Sequence, residues 1–251
     1  MNNLLFDSPQ IFKKFTNVVA AQSTRLGGIS PIPYCSLNLG FKSGDTLENV
    51  LQNRKLLLDA LSIAQDQLAI SSQIHSDNIL VADCTGNFEG YDAIISNKPN
   101  LFVAVTIADC TPILVFDAKN KAVGAIHAGW KGTVAQIVTK TLEKMKSCFG
   151  TNAEDCFAYI GTCIDECNFE VGNEVSDLFE DNFKEFDPNR DKFLVNLKKA
   201  NKFQLLAFGI PESQIEVSDF STVSDNNRYF SYRLEKGKTG RMMALIGFLE
   251  V

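Results

Sequence analysis

The chain has 251 residues, with 45% hydrophobic and 22% charged residues, which is the composition of an ordinary globular protein. Its formal net charge of −6 argues against nucleic acid as the main partner, because phosphate backbones are bound by basic surfaces. No run approaches the roughly 18 apolar residues of a membrane span, and no signal-peptide pattern precedes the seven cysteines, so we expect reduced thiols in a cytoplasmic protein.

The first part of the chain alternates short apolar runs with loops. Asp45 with Glu48 three residues later has the pattern of a capping box and predicts a helix. The segment 86–92 (GNFEGYD) is typical of a turn. The predicted buried face of the helix comprises Leu47, Val50, Leu51, Leu57, Leu58 and Leu61. The predicted strands are residues 17–24, 68–74, 79–82 and 93–95.

Arg25 precedes a loop that contains Gly27 and Gly28. One interpretation is a surface arginine on a turn. The other is an arginine that binds an anion beside backbone that a ligand can approach closely. The residues alone favour neither interpretation of Arg25.

The central stretch 101–133 contains three apolar runs, at 101–107, 112–116 and 122–126. They do not alternate with polar residues, which predicts strands covered on both faces. Cys110 follows the first run, and His127 closes the third. The only other histidine, His75, follows the strand predicted at 68–74. Strand ends and the loops after them are where functional residues concentrate.

The remaining chain predicts further strands and helices around this stretch. Gly129 and Gly132 precede a helix start, where Lys131 could strengthen an anion site. The polar and aromatic segment 229–241 has the character of a loop that closes over a ligand. Helices are predicted at 133–149, 174–183 and 198–208, and strands at 156–160, 215–217 and 242–248. We expect one α/β or α+β domain over residues 1–251, with a mixed β-sheet core covered by helices.

His75, Cys110 and His127 could bind zinc with a fourth position left open, as in catalytic zinc sites. Their spacing is not a local metal motif, so each could instead be an ordinary residue near the core. A third interpretation uses no metal. Cys110 would be a nucleophile and His127 its base, with Asp109 or Asp92 as the orienting carboxylate.

Six segments carry a family resemblance that runs from about Asn17 to Phe248. The chain resembles the laccase-domain family, whose members are also called polyphenol-oxidase-like proteins or peptidoglycan editing factors, and zinc-dependent purine nucleoside phosphorylases. The segments are QIHSDNI, YDAIISN, TIADCTPIL, AIHAGWKGT, YIGTCIDECNFEVG and YFSYRLEKGKTGRM.

The resemblance implies zinc held by His75, Cys110 and His127. It also implies phosphorolysis of adenosine, inosine, guanosine and methylthioadenosine, together with deamination of adenosine. Arg25 and Lys131 match basic positions that would suit phosphate or ribose. The partners are then purine nucleosides and phosphate, with no nucleic acid and no membrane.

The remaining expectations concern proton transfer and two alternative functions. Asp92 and Asp109 are the candidates for proton transfer. The alternatives are a Cys–His hydrolase or amidase acting on cell-wall peptide precursors, and a zinc-binding protein without activity. Copper oxidase chemistry is excluded, because two histidines cannot supply a blue-copper site and a further copper cluster.

Overall fold

The computed structural model describes residues 4–250, in which five α-helices accompany two mixed sheets and one small antiparallel sheet. The helices are α1 (Leu47–Ala60), α2 (Trp130–Val134), α3 (Ile137–Phe149), α4 (Asn173–Ser176) and α5 (Leu197–Phe208). The strands are β1 (Phe6–Asp7), β2 (Val18–Ser23), β3 (Leu68–Ser72), β4 (Ile79–Val81), β5 (Gly86–Glu89), β6 (Ala93–Ser96), β7 (Phe102–Ile107), β8 (Thr111–Asp117), β9 (Ala122–Ala128), β10 (Cys156–Ile160), β11 (Glu170–Val171), β12 (Lys184–Asp187), β13 (Lys192–Val195), β14 (Ile215–Val217) and β15 (Met242–Phe248).

Sheet 1 has the strand order β1-β2-β15-β7-β3-β5, and sheet 2 has the order β14-β10-β8-β9-β6-β4. The small sheet has the order β11-β13-β12. Both large sheets contain parallel and antiparallel pairs. The predicted mixed α/β fold class is confirmed. None of the helices within residues 4–250 has the length and apolar character that a membrane crossing requires.

The two large sheets pack face to face, and helices cover their outer faces. Along β7, Val103 and Val105 belong to the core between the sheets, whereas Phe102 and Ala104 belong to the core under α1. This alternation is the period of two expected of a strand. The outer face of sheet 2 packs against α3 and α5. Because both faces are covered, the central strands β8 and β9 are buried along their whole length, as predicted.

The topology brings three distant parts of the chain to one edge. Strands β3 and β7 are parallel neighbours, so His75 and Cys110 both follow strand ends at the same edge of sheet 1. The chain then passes into sheet 2, where Thr111 of β8 lies opposite Ala128 of β9. This register places His127 beside the crossover that carries Cys110.

Most of the predicted strands are confirmed with small changes at their ends, as is the helix at 198–208. Several predictions are wrong. The turn at GNFEGYD contains strand β5, which pairs in parallel with β3. The helix predicted at 174–183 is only the short α4 followed by a 3₁₀ turn, because the chain there folds into the small sheet. The helix predicted at 133–149 begins at Trp130 and is interrupted at Gln136, whose φ is 62°.

The prediction that Asp45 caps α1 is also wrong. Thr46 is the cap, and its side chain accepts a hydrogen bond from the Asn49 backbone N–H at 3.2 Å. Asp45 instead accepts from the Ser30 hydroxyl at 2.6 Å, so it holds the preceding loop. The buried face of α1 consists of Val50, Asn53, Arg54, Leu57 and Leu58, and Leu51 is 38% exposed. Leu47, also predicted to be buried, is exposed as well.

Asn53 fixes that loop to α1. This fully buried amide donates to the Ser30 hydroxyl and to the carbonyls of Ser36 and Asn38, at 2.8, 3.1 and 3.0 Å. Its carbonyl oxygen accepts from the Ile29 backbone N–H at 2.9 Å. One side chain therefore satisfies four polar groups of an irregular segment that packs beside the cavity described below.

Replacing Asn53 by Ala should lower the free energy of unfolding by at least about 2 kcal/mol, because buried polar groups would lose their partner. The matched control is Leu51→Ala on the same helix, which should cost less than about 1 kcal/mol. Thermal and denaturant unfolding of both variants would measure the difference. Equal losses in the two variants would contradict the role given to Asn53.

Candidate active site

His75, Cys110 and His127 converge at the shared edge of the two sheets. Their ligand atoms all lie within 4.8 Å of one another. The two imidazole rings meet edge to face, with centroids 4.9 Å apart. His127 is buried, Cys110 is partly buried and His75 is exposed, so the cluster opens outward on one side.

The Asp92 carboxylate, which is fully buried, organises two of the three side chains. Its Oδ1 accepts from the His75 backbone N–H at 3.0 Å and contacts His127 Nδ1 at 2.8 Å. Its Oδ2 accepts from the backbone N–H groups of Ile74 and Ser76, at 3.2 and 2.7 Å. The Ser76 hydroxyl adds a fifth bond at 2.8 Å. Three successive N–H groups thus converge on one carboxylate and fix the loop that carries His75.

The contact with Asp92 also sets the tautomer of His127. Nδ1 donates to the carboxylate, so Nε2 is left free to face Cys110 and His75. Burial opposes ionisation of Asp92, but hydrogen bonds from His127 and Ser76 outweigh it and lower the carboxyl pKa to about 2. Asp92 therefore stays anionic and fully bonded, which makes it a positioning residue.

Cys110 and His127 each shift the pKa of the other. Burial opposes ionisation of the Cys110 thiol, but the charge and hydrogen bonds of the two histidines lower its pKa to about 6. Burial also disfavours protonated His127, but Cys110 and Asp92 raise its pKa to about 9. A thiolate beside imidazole nitrogens is the donor set that zinc prefers, and a metal cation binds such donors in their deprotonated form.

The backbone around the cluster leaves room only for these donors. His75 has a φ of 61°, in the left-handed region that few non-glycine residues adopt. A Cβ at Gly129 would lie 3.1 Å from both Cys110 Sγ and His75 Cδ2. A larger residue at this position would therefore crowd the space between the ligands. The donor set, the carboxylate behind one imidazole and this cradle together fit zinc.

The cluster opens into a cavity of about 800 Å³. This volume is within the range of sites for small molecules. The aromatic residues on its wall are Phe41, Phe88, Phe169 and Tyr232. The charged residues on its wall, apart from the cluster itself, are Lys42, Arg54, Asp109, Arg233 and Arg241.

The other residues singled out from the sequence lie in different places. Asp109 lines the cavity and accepts from the Thr222 hydroxyl at 2.5 Å and from the Arg233 backbone N–H at 2.6 Å. Burial raises the pKa of its carboxyl. Lys131 is exposed on α2, with its ammonium 5.5 Å from the Trp130 ring centroid, and does not line the cavity.

Arg25 does not line the cavity either. Each of its three guanidinium nitrogens donates to a protein acceptor: to the carbonyls of Cys35 and Asn226 at 3.0 and 2.9 Å and to the Glu235 carboxylate at 3.0 Å. These contacts tie the loop after β2 to the segment 226–235. The structure thus brings together the three predicted ligands, Asp92 and Asp109, and leaves Arg25 and Lys131 apart.

Sequence reasoning missed the basic residues of the cavity wall. Arg54 lies in the middle of α1, among apolar residues of the buried face, and a charged residue in such a stripe was the available signal. Arg233 and Arg241 lie in the segment 229–241, which was expected to close over a ligand, and both line the cavity together with Tyr232.

Residues 19–249 match the family described as "Multi-copper polyphenol oxidoreductase laccase". The chain belongs to this family. The copper in that description does not agree with the composition. Both histidines of the chain are already in the cluster, and a multicopper site needs many more imidazoles.

Curated relatives carry a different name. A protein of Bacteroides thetaiotaomicron named purine nucleoside phosphorylase is 38% identical over 248 residues, covering 92% of this chain and 91% of the relative. Purine nucleoside phosphorylase YfiH of Escherichia coli (strain K12) is 37% identical over 238 residues, covering 91% and 93%.

Solved structures support the fold over the whole chain. The crystal structure of YlmD from Geobacillus stearothermophilus superposes with a TM-score of 0.93 at 28% identity, covering 100% of this chain and 98% of that one. The crystal structure of the Bacillus licheniformis hypothetical protein YfiH gives a TM-score of 0.92 at 31% identity, covering 98% and 97%.

Replacing Asp92 by Asn should weaken zinc binding by about 10- to 100-fold, because the amide has no charge and cannot accept all the bonds at once. Competition with a chromophoric chelator would measure the affinity. The matched control is Asp117→Asn, a buried aspartate that accepts from Lys119 and Asn120 at the far end of β8. Asp117→Asn should bind zinc as the unmodified protein does. Unchanged affinity in Asp92→Asn would contradict the positioning role.

Proposed function

We propose that this protein is a zinc-dependent purine nucleoside phosphorylase that also deaminates adenosine and works in the cytoplasm. The observation that carries this proposal is the cluster of His75, Cys110 and His127 opening into a cavity with aromatic and cationic walls. The names of the relatives at 38% and 37% identity support the reaction class.

The cavity suits a nucleoside and a small anion together. Purines stack on aromatic rings, and four such side chains line the wall. The cationic side chains of the same wall suit phosphate. Adenosine, inosine, guanosine and methylthioadenosine share the purine and the ribose, so they are the substrates we propose.

In phosphorolysis, a phosphate oxygen bonds to ribose C1′ while the glycosidic bond breaks. The purine leaves with the bonding electrons and takes up a proton, and ribose 1-phosphate is the second product. In deamination, water supplies the oxygen that replaces the amino group at C6 of adenine, and ammonia leaves.

His75, Cys110 and His127 would hold the metal for these reactions. Bound zinc would supply a Lewis acid that lowers the pKa of water and polarises substrate atoms. Asp92 keeps the imidazole of His127 and the loop of His75 in place. Asp109 is the only carboxylate on the cavity wall within residues 4–250, so we assign proton transfer to it.

A second candidate is a Cys–His hydrolase acting on cell-wall peptide precursors. The arrangement in its favour is the Cys110 thiol beside the His127 imidazole, whose Nδ1 contacts Asp92 at 2.8 Å. The histidines lower the pKa of Cys110 to about 6, and Cys110 and Asp92 raise that of His127 to about 9. Thiolate–imidazolium pairs of this kind serve as nucleophile and base. Such a pair needs one histidine, however, whereas here both converge on the thiol.

The test is product analysis by chromatography with each nucleoside, with and without inorganic phosphate. We expect free purine and ribose 1-phosphate only when phosphate is present, and inosine from adenosine without it. Chelation should abolish both reactions and added zinc should restore them. His75→Ala and His127→Ala should each abolish turnover and zinc binding, because each removes a ligand. Cys163→Ala, which removes another buried thiol, should retain both.

The competing functions give different results. A hydrolase would keep its activity after chelation, would tolerate His75→Ala, and would show a covalent adduct on Cys110 by intact mass. A zinc-binding protein without activity would bind the metal and release no product. Either result would contradict the proposed function.

A further inference from the structure

Arg54 is a buried cation with an unusual set of partners. The residue is 5% exposed, and its Nε and Nη2 both donate to the carbonyl of Leu39, at 2.9 and 2.8 Å. The guanidinium lies over the Phe41 ring, 3.8 Å from its centroid. In the part of the chain that the structure describes, no carboxylate pairs with Arg54 and no group accepts from its Nη1.

A buried charge without a counterion is costly, and proteins normally pair it. Burial alone lowers the pKa of Arg54 to about 10, with no opposing contribution from an acidic group. Arg54 nevertheless lines the cavity. An anion in the cavity would supply the missing charge and an acceptor for Nη1.

A second arginine is held against the same segment of backbone. Leu39 donates its backbone N–H to the carbonyl of Arg241 at 2.9 Å, while its own carbonyl accepts from Arg54. A Cβ at Gly40 would lie only 2.5 Å from Arg241 Cγ. Glycine at this position therefore allows the Arg241 side chain to lie directly on the segment between Leu39 and Lys42.

Lys42 adds a third cation to this wall. It is exposed, lines the cavity and has no ion pair or hydrogen bond among residues 4–250. Arg241 donates through Nη1 to the carbonyls of Thr239 and Gly240, both at 3.0 Å. Its Nη2 has no acceptor within the same described range.

The net charge of the cavity wall is positive. Among residues 4–250, four cations and one carboxylate line the cavity apart from the cluster itself, whereas the chain carries a net charge of −6. The carboxylate, Asp109, is already bonded to Thr222 and to the backbone of Arg233. The cavity is therefore a cationic site in an acidic protein, and such a site attracts anions.

We propose that Arg54, Arg241 and Lys42 form the phosphate-binding subsite of the cavity, where they hold the tetrahedral oxyanion that attacks the nucleoside. This rests on the proposed function. These three residues take the phosphate-binding role that was expected of Arg25 and Lys131. The guanidinium of Arg25 donates to protein acceptors, and Lys131 lies outside the cavity. The same chemistry would suit the 5′-phosphate of a nucleotide; we assign the subsite to free inorganic phosphate.

The kinetic test compares Lys42→Ala and Arg241→Gln with two control variants. In phosphorolysis of inosine, Lys42→Ala and Arg241→Gln should each raise KM for inorganic phosphate by about tenfold or more. This is the loss expected for one charge-assisted contact. KM for inosine should change less than about twofold. Lys55→Ala, which removes an exposed cation next to Arg54 in sequence, should leave both constants unchanged. Lys131→Ala tests the anion site that the sequence suggested at the start of α2, and it should also leave both constants unchanged.

A binding test gives a readout without turnover. Inorganic phosphate should raise the melting temperature of the unmodified protein, because a ligand that binds only the folded state stabilises it. The increase should be lost in Lys42→Ala, in Arg241→Gln and in Arg54→Gln, in which an amide can still donate to Leu39. Melting curves without phosphate show whether each variant is folded, and Lys42→Ala tests the subsite with an exposed residue.

The outcomes separate the subsite from the function. If the protein does not phosphorolyse nucleosides but phosphate stabilises it through Lys42 and Arg241, the function fails and the subsite stands. If it phosphorolyses inosine and both variants keep the KM for phosphate, the subsite is overturned. The subsite is also overturned if Lys131→Ala, rather than these variants, raises the KM for phosphate, or if phosphate does not stabilise the unmodified protein. The subsite for free phosphate is also overturned if Lys42→Ala and Arg241→Gln weaken stabilisation by inosine 5′-monophosphate but leave stabilisation by inorganic phosphate unchanged.

Discussion

The buried carboxylate of Asp92 is the constraint on which the geometry of the site depends. It joins the loop of His75, the start of β6 and the end of β9, where the Asp92 carbonyl also accepts from the His127 backbone N–H at 2.7 Å. These contacts orient one imidazole and hold the loop that carries the other. Ligands that are positioned in advance lose little freedom when a metal binds, which is how supporting contacts raise affinity. Cys110 needs no such support, because the crossover between the sheets places it.

Much of the fold could be predicted from the sequence, because the central strands are long apolar runs between clear breaks. The segments β7, β8 and β9 are of this kind, and their burial on both faces was expected. The rest depends on tertiary contacts. Asp45 has the pattern of a helix cap, but its carboxylate bonds to the loop at Ser30, so Thr46 caps α1 instead. The small sheet consists of strands of two to four residues, too short for a periodic signal.

The site could be predicted in part, for a related reason. The only two histidines and one cysteine at strand ends were the candidate ligands, and the family resemblance implied that they hold zinc. The cationic wall could not be found in this way. Arg54 comes from the helix that covers sheet 1, and Arg241 comes from the segment before β15. Both residues are hydrogen-bonded to the backbone of Leu39, which no spacing in the sequence reveals. The reaction we propose needs both parts, because phosphate replaces the purine at C1′ of the nucleoside.

The central claim is that two imidazoles and one thiolate hold a zinc ion at the edge of the two sheets. X-ray absorption at the zinc edge of the metal-loaded protein tests it most directly. The account predicts one sulfur scatterer at about 2.3 Å and nitrogen or oxygen scatterers at about 2.0–2.1 Å. The sulfur contribution should disappear in Cys110→Ala and persist in Cys163→Ala, which removes a thiol outside the cluster. A first shell without sulfur, or one unchanged by the loss of Cys110, would contradict the account.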